Sequence, residues 1–156
     1  MIIFNNVLGP IAKFISLGFG AGKAPVAPGT WGTLVGIPIY LLMQDLSLMI
    51  YIIISAAIIA LGIWAADVYG RELGVHDHQS IVWDEVAGYI VTMTFAPTGW
   101  EWIIVGFLLF RLFDIWKPWP INLLDKYVKG GFGVMIDDVL AGVYAGLILY
   151  LLAIFY

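Results

Sequence analysis

Residues 48–66 read LMIYIIISAAIIALGIWAA, a run without a single charge. It approaches the roughly 20 apolar residues that a helix needs to cross a hydrocarbon core. The run at 139–156 is of similar character, and shorter ones lie at 34–43, 86–96 and 102–116. Those at 34–43 and 86–96 reach spanning length only if their flanks, Trp31-Gly32-Thr33 and Ile81-Val82-Trp83, extend them. The mean hydropathy of +0.98 is far above that of a soluble globular domain. These runs predict an all-α fold: a polytopic membrane helical bundle of about five transmembrane or membrane-embedded helices. Phe4, Val7, Leu8, Ile11, Phe14 and Ile15 recur at helical spacing and add a short N-terminal helix lying at the interface. Gly18 and Gly20 oppose its continuation. Residues 1–156 read as one domain, with no long linker, low-complexity tract or soluble appendage.

Composition removes several classes of function. A net charge of −4 leaves no basic surface for nucleic acid. The chain has no cysteine, so it has no disulfide, thiolate metal site or cysteine nucleophile. Met1–Lys13 lacks the basic start and small-residue cleavage site of a signal peptide.

With five crossings, Lys13, Lys23, Arg71, Arg111, Lys117, Lys126 and Lys129 all fall on one side. The opposite loops carry only Asp45 and Glu101. The positive-inside rule then places the N-terminus in the cytoplasm and the C-terminus outside. Most of the acids gather at the cytoplasmic face, where ionisable groups beside lipid signal function.

Two acid pairs open matching stretches, Trp83-Asp84-Glu85-Val86 and Ile136-Asp137-Asp138-Val139, followed by Ala87-Gly88 and Ala141-Gly142. The likeness suggests a weak pseudo-repeat, with acid pairs at parallel helix N-termini and small residues allowing close packing. Neighbours on a helix point about 100° apart, so one acid of each pair can face a shared ion while the other faces elsewhere. Oxygen ligands without cysteine suit Mg²⁺ or Mn²⁺. The structural alternative is helix capping and dipole complementation.

Arg111, Asp114 and Lys117 recur at i, i+3, i+6, a cation–anion–cation stripe suited to a phosphate beside a metal. A plain ion pair with snorkelling ends explains it equally well. Lys117-Pro118 stops that helix. Gly130-Gly131-Phe132-Gly133 could offer backbone N–H groups to phosphate, but a flexible re-entry turn is the simpler reading. In His76-Asp77-His78 the histidines read as solvated loop residues, and Asp77 is the better candidate ligand for a hard cation. Pro28-Gly29-Thr30-Trp31-Gly32-Thr33 reads as a turn with a helix cap at Thr30 or Thr33, and either hydroxyl is within the chemistry of a phosphate contact.

These residues resemble the phosphatidylglycerophosphatase A family of bacterial membrane lipid phosphatases. The likeness runs from about Leu17 to the C-terminus through PGTWGTL (28–34), GVHDHQSIVWDE (74–85), FRLFDIWKPWPI (110–121) and GGFGVMIDDVLAG (130–142), with no departure at the charged positions. It implies Mg²⁺-dependent hydrolysis of phosphatidylglycerophosphate to phosphatidylglycerol and phosphate at the bacterial cytoplasmic (inner) membrane. Together with the acid clusters it points to Asp77, Asp84, Glu85, Asp137 and Asp138 as catalytic and metal-binding residues, with Asp114 as a further metal candidate. Arg111, Lys117, Thr30, Arg71 and Lys129 are the candidate phosphate contacts. Oligomeric state is not legible.

Three rivals make different demands. A cation transporter or channel needs acids through the bilayer depth, whereas the outer halves of all five segments lack charge. A scaffold would use its acids only as caps. A soluble bundle would bury its short apolar helices as a core.

Overall fold

The computed structural model describes residues 2–75 and 77–156, with side chains from residue 8 onward. Every regular element among them is helical. Helix α1 spans Ile2–Ser16 and is followed by a 3-10 segment, Gly18–Lys23. The break falls where the glycines predict it: Gly18, Phe19 and Gly20 take φ of 52°, 58° and 108°, a region that L side chains avoid. Helix α1 lies along α3, which spans Leu48–Leu73. The Lys13 Nζ stands 3.9 Å from Glu72 Oε1 across that contact.

Helix α2 spans Pro28–Met43. Contrary to expectation, neither Thr30 nor Thr33 caps this helix, whose N-cap is Ala27. Pro28 holds the first helical turn, where its missing N–H costs nothing. Thr33 lies inside the helix and donates its hydroxyl to the Gly29 carbonyl, 3.0 Å away. Helix α3 runs seven residues past the apolar stretch, because Asp67 and Arg71 pair at i, i+4 on its polar end. Gly74, at φ 70°, then closes it.

Helix α4 spans Trp83–Thr92, followed by a 3-10 turn, Met93–Phe95. Its 10 residues rise only about 15 Å, half a hydrocarbon core. It is instead a buried strut: Val86, Ala87, Tyr89 and Ile90 are almost wholly enclosed. Helix α5 spans Trp100–Trp116, and Lys117 leaves it in the left-handed conformation before Pro118. Helix α6 spans Ile121–Tyr127 and α7 spans Gly130–Phe155. Two described helices, α3 and α7, are long and apolar enough to cross a membrane.

Helix α7 begins nine residues before the apolar run that announced it. The Gly130–Gly133 stretch is therefore neither a re-entry turn nor a loop around phosphate, but the first turn of a helix. Its glycines are explained by packing. A Cβ on Gly131 would fall against the Ile63 carbonyl of α3, and one on Gly133 against the Val128 carbonyl. Asp137 and Asp138 consequently sit in the third turn of α7, not at its N-terminus, while Asp84 and Glu85 do occupy the first turn of α4.

Among the described residues, helices α4 and α7 share the most extensive helix–helix contact, at small residues. A Cβ on Gly88 would stand 2.7 Å from the Asp138 carbonyl oxygen, and one on Gly142 would press on the Gly88 carbonyl. Both contacts are to backbone, so a methyl group must part the helices. Gly142→Ala is expected to cost about 1–3 kcal/mol by overpacking and to lower activity, since the same crossing aligns the two acid pairs. Gly9→Ala, where a Cβ meets nothing within 4 Å, is the control and should leave thermal unfolding in detergent unchanged or slightly raised. Equal unfolding temperatures for the two variants would remove this account of the crossing.

The helices have two unlike ends. Asp45 and the Thr98–Trp100 segment line one hollow, and Glu101 lines another with Phe155 and Tyr156. The starts of α2 and α4, the end of α5 and the first turns of α7 meet at the opposite end, around a charged cavity.

Candidate active site

The cavity encloses about 290 Å³. Among the described residues, Asp77, Asp84, Glu85, Asp114, Asp125, Asp137 and Asp138 line it against two cations, Arg111 and Lys117. Five elements deliver these groups, with Asp125 coming from α6 and Lys117 from the residue that closes α5. Helix α4 supplies Asp84 and Glu85 from its first turn, α7 supplies Asp137 and Asp138, α5 supplies Arg111 and Asp114, and the polar loop before α4 supplies Asp77.

Asp84, Glu85 and Asp138 each offer a carboxylate oxygen, and those three oxygens lie within 4.8 Å of one another. Asp84 Oδ1, Glu85 Oε2, Asp137 Oδ1 and Asp138 Oδ2 are buried without a hydrogen-bond partner among the described residues. Buried polar atoms are otherwise almost always paired, and like charges this close oppose one another. A divalent cation, positive and suited to hard oxygen ligands, is one group that could satisfy them. Side-chain capping does not explain the acid pairs: Val82 is the N-cap of α4 and Lys129 that of α7, with no side-chain cap bond at either among the described residues. Asp84 and Glu85 do lie in the first turn of α4, where the helix dipole favours them.

The α7 pair divides as the 100° helical step predicts, whereas Asp84 and Glu85 of α4 both join the cluster. Asp138 turns toward Asp84 and Glu85. Asp137 turns toward Lys117, whose Nζ donates to its Oδ2 at 2.8 Å and also to Asp125. Burial alone would lower the Lys117 ammonium, but these bonds and charges outweigh it and hold it above its ordinary value. Arg111 donates to Asp114 and stands 3.8 Å from Glu85. The ion pair expected between Arg111 and Asp114 is thus real, and it is also part of the cavity wall. Gly29 closes that wall from α2, where a Cβ would lie 3.1 Å from an Arg111 guanidinium nitrogen and strike Glu85.

Asp77 is exposed at the cavity mouth, and His76 lies outside the described residues. Thr30, Arg71 and Lys129 are not brought to the cavity. Thr30 stands on α2 beyond Pro28 and Gly29, which take the lining positions. Arg71 is paired with Asp67 beside a separate hollow. Lys129 is the exposed N-cap of α7. Sequence reasoning overlooked Asp125 as a site residue. Its signal is faint: an acid in a short amphipathic helix between two lysines, whose approach to Lys117 exists only once the chain folds back.

A model of the family described as Phosphatidylglycerophosphatase A matches residues 14–153, a stretch that includes every residue lining the cavity. This chain belongs to the phosphatidylglycerophosphatase A family. Within that family it is similar to the Phosphatidylglycerophosphatase A of Escherichia coli (strain K12), 44% identical over 87% of this chain and 80% of the relative. The protein of that name from Haemophilus influenzae is 42% identical over 93% and 90%. A Bacteroides thetaiotaomicron protein, provisionally named a phosphatidylinositol-3-phosphatase, is 40% identical over 84% and 86%. No solved structure matches the chain at a significant level.

Proposed function

We propose that this chain, acting as a single membrane-embedded domain, hydrolyses the phosphate monoester of phosphatidylglycerophosphate to phosphatidylglycerol and inorganic phosphate. The reading includes Mg²⁺ dependence and an active site at the cytoplasmic face of the bacterial inner membrane, with about five embedded helices. One observation carries it: four buried carboxylate oxygens without a hydrogen-bond partner among the described residues belong to acids lining a cavity that also holds Arg111 and Lys117. The names of the family and of its Escherichia coli and Haemophilus influenzae members support the substrate. The one-sided distribution of basic residues supports the topology.

Asp84, Glu85 and Asp138 are the residues to hold the cation. When bound, Mg²⁺ supplies Lewis-acid polarisation of the phosphoryl oxygens and neutralises charge there. Arg111 and Lys117 flank the phosphate and balance its remaining negative charge. Asp137 keeps one oxygen free while Lys117 orients the other, and that free oxygen takes the proton of the attacking water. The phosphorus–oxygen bond to glycerol breaks, the leaving oxygen takes up a proton from water at the cavity mouth, and the lipid departs as an alcohol while Asp137 returns its proton to solvent. Asp77 at the mouth and Asp114 behind Arg111 complete the acidic wall.

Phosphate release by purified protein in detergent micelles tests the reading. Release from phosphatidylglycerophosphate is expected to exceed release from phosphatidylinositol 3-phosphate, the comparison that the Bacteroides relative suggests. The reverse order would overturn the substrate assignment, and ion flux into liposomes without any phosphate release would favour a transporter. Arg111→Lys should keep the charge but lose the planar fork that meets Glu85, Asp114 and a phosphate together. A fall of about 10–100-fold in kcat/KM is expected, and unchanged kinetics would remove Arg111 from phosphate binding.

A further inference from the structure

We infer that the exposed face of α5 is the seat of the substrate's acyl chains, so that the lipid enters the cavity sideways from one leaflet. The inference rests on the proposed lipid-phosphatase reading of the cavity. Ile104, Leu108, Arg111 and Ile115 follow at i, i+4, i+7 and i+11, one stripe within about 60° on a helix. The three aliphatic members are exposed, and Ile115 is 71% exposed while also lining the charged cavity. Arg111, between them, does not interrupt the stripe, because its guanidinium turns inward onto Asp114 and Glu85 and only 16% of its side chain is exposed.

The apolar path is therefore continuous with the cavity wall at Ile115. It runs from there to Ile104 over 11 residues, roughly 16 Å at the helical rise. That is about half of a hydrocarbon core of ~30 Å, the depth of a single leaflet. A phosphate held by Arg111 and Lys117 would leave its diacyl tail no deeper than this stripe reaches. Leu147 of α7 is the contrasting position: it is exposed and apolar too, but it borders the hollow of Val91, Phe95 and Tyr150, away from the charged cavity. The α5 stripe thus differs from other lipid-facing surface in leading to the chemistry.

The test places a photoreactive benzophenone side chain at Leu108, Ile115 or Leu147 of the full chain. Each protein is reconstituted in phosphatidylcholine vesicles in which about a tenth of the lipid is phosphatidylglycerophosphate. Crosslinks to phosphatidylglycerophosphate and its product are expected to exceed their share of the bilayer by about fivefold at Leu108 and Ile115, equivalent to about 1 kcal/mol of preference. At Leu147 they should match that share. Crosslinks in proportion to bulk lipid at all three positions would overturn the inference, as would crosslinks at Leu108 and Ile115 to a second copy of the chain. Phosphate release without enrichment sinks the α5 seat and leaves the reaction standing. Enrichment without release does the opposite.

Discussion

Asp138→Asn is expected to reduce phosphate release about a thousandfold while the protein folds normally. The magnitude is that of losing one preorganised charge at a reaction centre. Asp138 is 3% exposed, its Oδ2 lacks a partner among the described residues, and it meets Asp84 and Glu85 from another helix. The amide nearly preserves its volume but cannot supply an anionic ligand. Without divalent cations the substitution removes one of three mutually repelling carboxylates, so the variant should unfold at a higher temperature than wild type, by about 1 kcal/mol of stability. Activity and stability thus move in opposite directions, a sign that loss of folding cannot produce. Wild-type turnover in Asp138→Asn would remove the acidic triad from the mechanism, and reduced stability in chelator would remove the repulsion argument.

Chelation of divalent cations from the wild-type protein is expected to abolish phosphate release, and Mg²⁺ is expected to restore it. The same addition should stabilise the fold, because a ligand that binds only the folded state raises stability by about 2.7 kcal/mol at 100 times its dissociation constant. The thermal shift should be largely lost in Asp84→Asn and Asp138→Asn, whose two residues contribute oxygens to the shared cluster from α4 and α7. It should persist in Arg111→Lys, which leaves all three carboxylates in place. Undiminished turnover in chelator would reject the metal outright. A shift of equal size in the Asn variants would move the ion elsewhere in the cavity.

The chain discloses its helices unevenly. The stretch 48–66 announces α3 without ambiguity because spanning length and absence of charge coincide there. The stretch 86–96 looks like a shorter crossing, yet α4 is a 10-residue strut enclosed by its neighbours. Apolar composition alone does not distinguish a helix facing lipid from one buried in protein. Gly130–Gly133 looks like a loop for a related reason. Glycine is a poor helix former in isolation, and only the backbone of α3 and the Val128 carbonyl pressing on those positions make its small size the stabilising feature.

The site was legible by chemistry and illegible by partnership. Acids paired at two places in a chain only 12% charged stand out, because their burial is costly without a role. Their sorting does not stand out: Asp138 joins Asp84 and Glu85, while Asp137 joins Lys117 and Asp125. Nor does the sequence separate Arg111, which faces the cavity, from Arg71, which pairs locally on α3.

The order of residues by itself determined an all-helical chain with its charge gathered in a few motifs, since hydropathy, helical period and charge position are properties of neighbours along the chain. The tertiary structure alone decided which carboxylates converge, where α4 lies and which cations face them. Those outcomes depend on how closely α4 and α7 approach at Gly88 and Gly142 and on where α5 and α6 turn back, contacts between residues far apart in the chain whose energies no local pattern encodes.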